Sequence, residues 1–273
     1  MISYHIIKQM HRKIKFSKYQ GAGNDFVLID NRSGVFDRKD EHLVRALCDR
    51  RFGIGADGLM LLQNNKNFDF EMIYYNANGT EGSMCGNGGR CIVAFARDLG
   101  IIEEKTVFLA VDGEHEAAIH GDQVDLGMID VSDIQRDGAA YVLNTGSPHY
   151  VAWAEDLSHS NVYEMGSAIR NNDRYKQEGI NVNFVEKEET SYFVRTFERG
   201  VEDETLACGT GATASAMAVA LENGLEGEQE IPIRVMGGQL YIRFHKAGDK
   251  FTDVRLIGPA KFVFNGTIPS FSP

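Results

Sequence analysis

Two segments of this chain, residues 88–100 (GGRCIVAFARDLG) and 210–224 (TGATASAMAVALENG), are apolar on nearly every side of the helix each would form. A helix without a polar face must be enclosed, so other parts of the chain have to surround both. Each ends on a glycine suited to stop it, Gly100 and Gly224. Most of the remaining sequence reads as strand: FVLID, LMLLQ, FEMIYY, TVFLAV, YVLN, NFVE, YFVRTF, QLYIRF and TDVRLI are short and rich in β-branched and aromatic residues. One further helix is expected over residues 40–53, with Val44, Leu47 and Cys48 on one face. The predicted fold class is therefore α+β, with two similar strand-rich domains, each a curved sheet wrapped on a central apolar helix.

The two enclosed segments belong to a faint internal repeat. Cys85 and Cys208 lie 123 residues apart, each in a glycine frame, MCGNGG and ACGTGA. Upstream, GNDFV (Gly23 to Val27) matches SPHYV (Ser147 to Val151) at an offset of 124, and at that offset Gly55 meets Gly179 and Asp57 meets Asn181. Order and spacing are both kept, which points to two halves of one plan. The halves are placed at residues 14–130 and 131–260, joined near 130–138. The last strand, KFVFN within residues 261–273, is free to pair with either. Residues 1–13 read as an appendage, because Met10 offers a second start.

Charge and composition remove several function classes. A net charge of −11 argues against nucleic acid or an anionic membrane as partner, while leaving room for an anionic substrate in a locally positive pocket. Apolar runs such as CIVAFA fall far short of a bilayer span, and the first residues lack a stretch of signal-peptide length. Four cysteines make no disulfide scaffold, and a reducing cytoplasm is the expected compartment. No C-x-x-C or H-x-x-x-H cluster accompanies them, so no metal is expected. GIGADG (Gly53 to Gly58) spells a dinucleotide fingerprint, but it follows a helix and precedes a strand, the reverse of what that site requires.

The chemistry resides in the glycine frames. Cys85 and Cys208 each stand at a helix start, where unpaired N–H groups and the helix dipole place partial positive charge and where bare backbone is expected to leave the sulfur little covered. That position is expected to lower a thiol pKa, and the same N–H groups can hold a carboxylate. Two such helices aimed at one cleft would put a sulfur on either face of a small acid. One thiolate then removes a proton while the opposing thiol returns one, the two titrating as a coupled pair. Racemisation or epimerisation without a cofactor follows. Cys48 and Cys91, on apolar helix faces, read as small hydrophobes.

The stretches KYQGAGNDFVLID, YNANGTEGSMCGNGGRC, GINVNF and FERGVEDETLACGTGA resemble the diaminopimelate epimerase family, in the family's order, from Lys18 to Ala212. The resemblance implies a cofactor-independent enzyme interconverting LL- and meso-diaminopimelate, with two pseudo-symmetric domains that close on the substrate and with homodimeric assembly left open. It implies Cys85 and Cys208 as the acid–base pair, and Gly86, Asn87, Gly209 and Thr210 as holders of the reacting carboxylate. Asn24, Asn76, Asn181, Glu198 and Arg199 would contact the distal end of the substrate or frame the pocket, with His149 and Glu198 helping to set thiol protonation. Three positions depart from the family's common pattern: Gly58 where glutamine is frequent, Asn78 where aspartate is common, and Ser147 where asparagine is common. The competing expectations are a proline or hydroxyproline racemase, a phenazine-biosynthesis-like isomerase (which lacks the paired thiols), and a non-catalytic amino-acid-binding or redox protein.

Overall fold

The computed structural model describes residues 13–82 and 84–268. The expected appendage falls outside the described residues apart from Lys13. In the first half, β1 (Ile14–Gly21) and β2 (Asn24–Asp30) form a hairpin whose two turn residues, Ala22 and Gly23, both have positive φ, 55° and 100°. That conformation matches the twist of the flanking strands. A connection carrying α1 (Glu41–Cys48) leads to β3 (Gly58–Gln63), parallel to β2, and β4 (Glu71–Asn76) returns antiparallel. Helix α2 (Gly86–Asp98) follows, then the meander β5 (Lys105–Ala110), β6 (Gly113–His120) and β7 (Gln123–Gly127).

The second half repeats this order: β8 (Ile134–Asp137), β9 (Ala140–Asn144), β10 (Pro148–Trp153), α3 (Val162–Arg170), β11 (Asn181–Lys187), β12 (Tyr192–Glu198) and β13 (Asp203–Thr205). Helix α4 (Gly209–Glu222), β14 (Gly227–Val235), β15 (Gly238–Ala247), β16 (Lys250–Pro259) and β17 (Lys261–Ile268) complete it. The repeat extends to strand register. Phe26 pairs with Gly58 in parallel β2–β3, and Tyr150 pairs with Val182 in parallel β10–β11, both partners displaced by 124 residues. Two antiparallel contacts show how the halves interlock. The equivalent strands β7 and β16 pair with each other, Leu126 opposite Leu256. β17 pairs with β1 as β8 pairs with β9, so the last strand lies against the first half.

Both enclosed helices take their predicted places. Along α4, Ala212, Ala214, Ala216, Met217, Ala218, Val219 and Ala220 are all fully buried, and the alanines let the surrounding sheet approach closely. In α2, Cys91, Ile92, Val93, Ala94, Phe95 and Ala96 form the matching core of the first half. Burial of each larger side chain contributes roughly 1.5–3 kcal/mol. Val44, Leu47 and Cys48 of α1 are buried on one face, as their spacing predicts. Seven strands, β1, β6, β7, β8, β10, β13 and β14, and the helix α3 escape the sequence pattern. β6, GEHEAAIH, explains why: only alternate residues are buried, and the intervening charges dilute the signal.

Candidate active site

The two glycine frames meet. Cys85 and Cys208 are the N-caps of α2 and α4, both extended, at φ −110° and −117°. Neither cysteine side chain makes a capping hydrogen bond to its own helix, and the first-turn N–H groups face the sulfurs. The helix starts touch at glycine. A Cβ on Gly86 would lie 3.7 Å from the Gly209 Cα, and one on Gly209 would lie 3.4 Å from the Gly86 Cα and 2.9 Å from Leu256. A Cβ at either position would press on the Leu256 side chain while only touching the opposite helix start.

Asn87 locks this contact. Its amide donates to the Ala207 carbonyl at 3.1 Å and to the Asn24 side-chain oxygen, while its own oxygen accepts from Arg90 at 2.8 Å. Arg90 is fully buried; it donates to the Gly86 carbonyl at 3.2 Å and faces no carboxylate among its hydrogen-bond partners. A cation therefore sits beneath the first turn of α2, behind Cys85. Its adjacency to a cysteine motif is visible in GGRC, but its burial is not.

Both cysteines line one cleft of about 730 Å³, together with Asn24, Asn76, Gly86, Asn181, Glu198, Arg199, Gly209 and Thr210. Glu198 and Arg199 reach the same space because β12 ends at Glu198 and the chain turns through Arg199 and Gly200. Asn181 holds that turn: its oxygen accepts the Arg199 N–H at 2.9 Å, and its amide donates to Ser147 Oγ at 2.9 Å and to the Pro148 carbonyl at 3.1 Å. Asn181 is thus occupied with protein groups. Ser147, one of the family departures, also accepts from the Arg199 guanidinium at 3.4 Å.

Two expected site residues stand outside the cleft wall. Asn87 is fully buried, its side chain spent on the clamp. His149 is fully buried behind the wall, its Nδ1 facing the Asn183 amide at 3.0 Å. Burial pushes its pKa down to about 3, so it remains neutral, and Nε2 has no hydrogen-bond partner among the described residues. Arg50, Asp57 and Tyr74 also line the cleft, and none of the three is among the expected site residues. Asp57 accepts from the Asn24 amide at 2.9 Å and from Arg50 at 2.6 Å, which orients Asn24. The internal repeat pairs Asp57 with Asn181, the one sequence signal that could have found it.

The electrostatics correct one expectation. The helix-start position predicts a lowered pKa for both thiols, but both are raised. Burial is the largest effect on Cys85, with the Glu198 charge adding to it and the N–H groups of Gly88 and Asn87 and the Arg90 charge opposing it. Cys208 is pushed up further, first by burial and then by the Glu198 charge, against the Thr210 hydroxyl and the Gly211 N–H. Glu198 is itself raised by burial. It faces the Cys208 thiol and the Thr205 hydroxyl without reaching full hydrogen-bond geometry to Thr205. At both sulfurs desolvation outweighs the first-turn N–H groups that oppose it. Cys91 lies in an apolar core, in keeping with a small hydrophobe; Cys48 also packs in an apolar core but reaches the cleft wall, and both thiols are pushed up to about 12 by burial.

Pseudo-symmetric halves, each wrapped on an apolar helix and each offering a thiol to a shared polar cleft, define a class of two-domain α+β isomerases. The more specific assignment comes from sequence. The family model described as diaminopimelate epimerase matches residues 16–131 and 141–263, and the chain belongs to that family. A diaminopimelate epimerase of Flavobacterium psychrophilum is 50% identical over 257 residues, covering 93% of this chain and 100% of the relative. One from Chlorobaculum tepidum is 44% identical, covering 91% and 98%. The fold alone is shared with a PhzF-family phenazine biosynthesis protein of Bacillus anthracis, at a TM-score of 0.76 and 14% identity, covering 94% of this chain and 99% of that one.

Proposed function

We propose that this chain interconverts LL- and meso-diaminopimelate by exchanging the α-proton between Cys85 and Cys208. The single observation that carries the proposal is the contact of two helix N-termini, Gly86 against Gly209, with a free cysteine capping each and both lining one cleft. One sulfur, as thiolate, takes the α-proton. The electron pair left on carbon spreads into the carboxylate, which the first-turn N–H groups of α2 and α4 stabilise as negative charge grows. The opposing thiol then donates its proton to the other face. The distal amino-acid end of the substrate is matched by the Glu198 carboxylate and the Arg199 guanidinium, an acceptor for ammonium and a donor for carboxylate.

A proline racemase would share the two thiols but needs no recognition of a second charged end. Glu198, Arg199, Asn24 and Asn76 on the cleft wall favour the longer substrate. The proposed compartment is the cytoplasm, supported by four unpaired cysteines; among the described residues no helix is long and apolar enough to cross a membrane. Homodimer formation through β17 is part of the proposal. That strand pairs with β1 and exposes Phe262, Val263 and Phe264.

The reduced protein, incubated with LL-diaminopimelate in D₂O without pyridoxal phosphate, is expected to form meso product carrying solvent deuterium at the α-carbon. Turnover of proline with no exchange on diaminopimelate would overturn the substrate assignment.

A further inference from the structure

Tyr74 has no part in the chemistry described so far, yet it stands on the wall of the same cleft. Its ring lies between two stretches of bare backbone. A Cβ on Gly58 would fall 2.5 Å from Tyr74 Cε2 and 2.9 Å from its hydroxyl oxygen, and a Cβ on Gly82 would fall 2.9 Å from Cδ1 and Cε1. Phe26 meets the ring edge-on, with centroids 6.2 Å apart. Neither glycine has a positive φ, so backbone conformation does not demand glycine at either place. At Gly58 the ring and the Tyr75 carbonyl leave no room for a side chain. The bare backbone at Gly58 is thereby explained: the Tyr74 phenol occupies the volume that a side chain there would fill.

The ring is held, but its hydroxyl is not used by any of the described residues. It has no hydrogen-bond partner among the described residues, and it is not sealed from the cleft as a buried orphan would be. Burial, with the negative charges that Cys85, Asp57 and Glu198 can carry, holds the phenol above its ordinary range. It therefore stays protonated and can only donate to an anion.

We infer that Tyr74 is a substrate-contacting specificity residue, its O–H donating to a carboxylate oxygen of the amino acid in the cleft, with Gly58 and Gly82 kept bare to seat its ring. The inference rests on the epimerase proposal and adds to it a donor that the motifs do not contain. A hydrogen bond to a charged oxygen, lost without loss of packing, weakens binding roughly tenfold or more.

The test compares wild type, Tyr74→Phe and Gly58→Ala for diaminopimelate epimerisation and thermal unfolding. Tyr74→Phe is expected to raise KM about tenfold, to lower kcat by a smaller factor, and to leave the unfolding temperature in place. Gly58→Ala is expected to displace the ring, raising KM and lowering the unfolding temperature together. If wild type turns over and Tyr74→Phe keeps its KM, the Tyr74 assignment falls while the epimerase proposal stands. A Tyr74→Phe protein whose only change is a lower unfolding temperature removes the assignment in the same way. If wild type does not turn over diaminopimelate, both fall.

Discussion

The Asn87 amide donates to the Ala207 carbonyl across 120 residues of sequence, so the residue two after one cysteine holds the residue just before the other. That bond, with those to Asn24 and Arg90, couples the spacing of the two sulfurs to the packing of the two halves. Asn87→Ala strips partners from the Ala207 carbonyl, the Asn24 oxygen and a buried guanidinium. Each buried polar group left unpaired costs about 1–3 kcal/mol, and the three share one network. We expect about 3 kcal/mol lost in urea unfolding, and a fall in kcat beyond the loss of folded protein. Unchanged stability would show that the clamp does not hold the halves.

The cysteine pair makes a symmetric prediction. Cys85→Ala and Cys208→Ala should each lower epimerisation by at least about 10²-fold, the lower bound usual for a proton-transfer group. Unfolding of either variant should remain cooperative, because both cysteines line the cleft and the enclosed helices behind them keep their packing. Full turnover in either variant would remove the two-thiol mechanism.

The thiols should nevertheless ionise unequally. Burial raises both and the Glu198 charge adds to both; Cys85 has two N–H groups and the nearby Arg90 charge in opposition, whereas Cys208, the further raised, has the Thr210 hydroxyl and one N–H group but no cation. Iodoacetamide at neutral pH should therefore modify Cys85 first. Glu198→Gln removes the second cause of the Cys208 rise and should speed Cys208 alkylation in a Cys85→Ala background. Because one thiolate is required and both are raised, kcat/KM should climb as pH increases through neutrality. Preferential labelling of Cys208 would reverse the assignment.

Stability should fall on the alkaline side. Cys48 and Cys91 have folded pKa values of about 12 against an ordinary value of 9.0. A raised thiol is fully stabilising below its unfolded pKa, and that contribution is lost as pH rises toward the folded value. Denaturant unfolding should therefore weaken between about pH 9 and 12, by up to about 1.4 kcal/mol per pH unit for each thiol. Cys91→Ala should flatten that slope even though it lowers stability at neutral pH. An unchanged slope would place the alkaline loss elsewhere.

A second contact between the halves is set by glycine. A Cβ on Gly237 would overlap the Ala22 carbonyl oxygen of the β1–β2 turn, and the Gly237 N–H donates to the Leu206 carbonyl at 2.8 Å. Gly237→Ala must displace backbone rather than a flexible side chain. It should destabilise by about 1–3 kcal/mol or more, measurable by calorimetry. A neutral substitution would mean that the turn yields freely.

The amino-acid sequence alone determined the features that depend on short-range pattern. Helices without a polar face had to be enclosed, and glycine frames immediately before them had to place Cys85 and Cys208 at helix starts. The offset between GNDFV and SPHYV already related Phe26 to Tyr150, and the structure shows their partners, Gly58 and Val182, displaced by the same 124 residues. Only the tertiary structure decided which long-range effects prevail. Burial outweighed the helix-start N–H groups at both sulfurs, because desolvation depends on everything packed around an atom and not on its neighbours in the chain. The same holds for His149 withdrawn behind the wall, for Arg90 buried under Cys85, and for Tyr74 seated on Gly58. Each depends on residues distant in sequence coming within a few ångströms, and no local periodicity records that proximity.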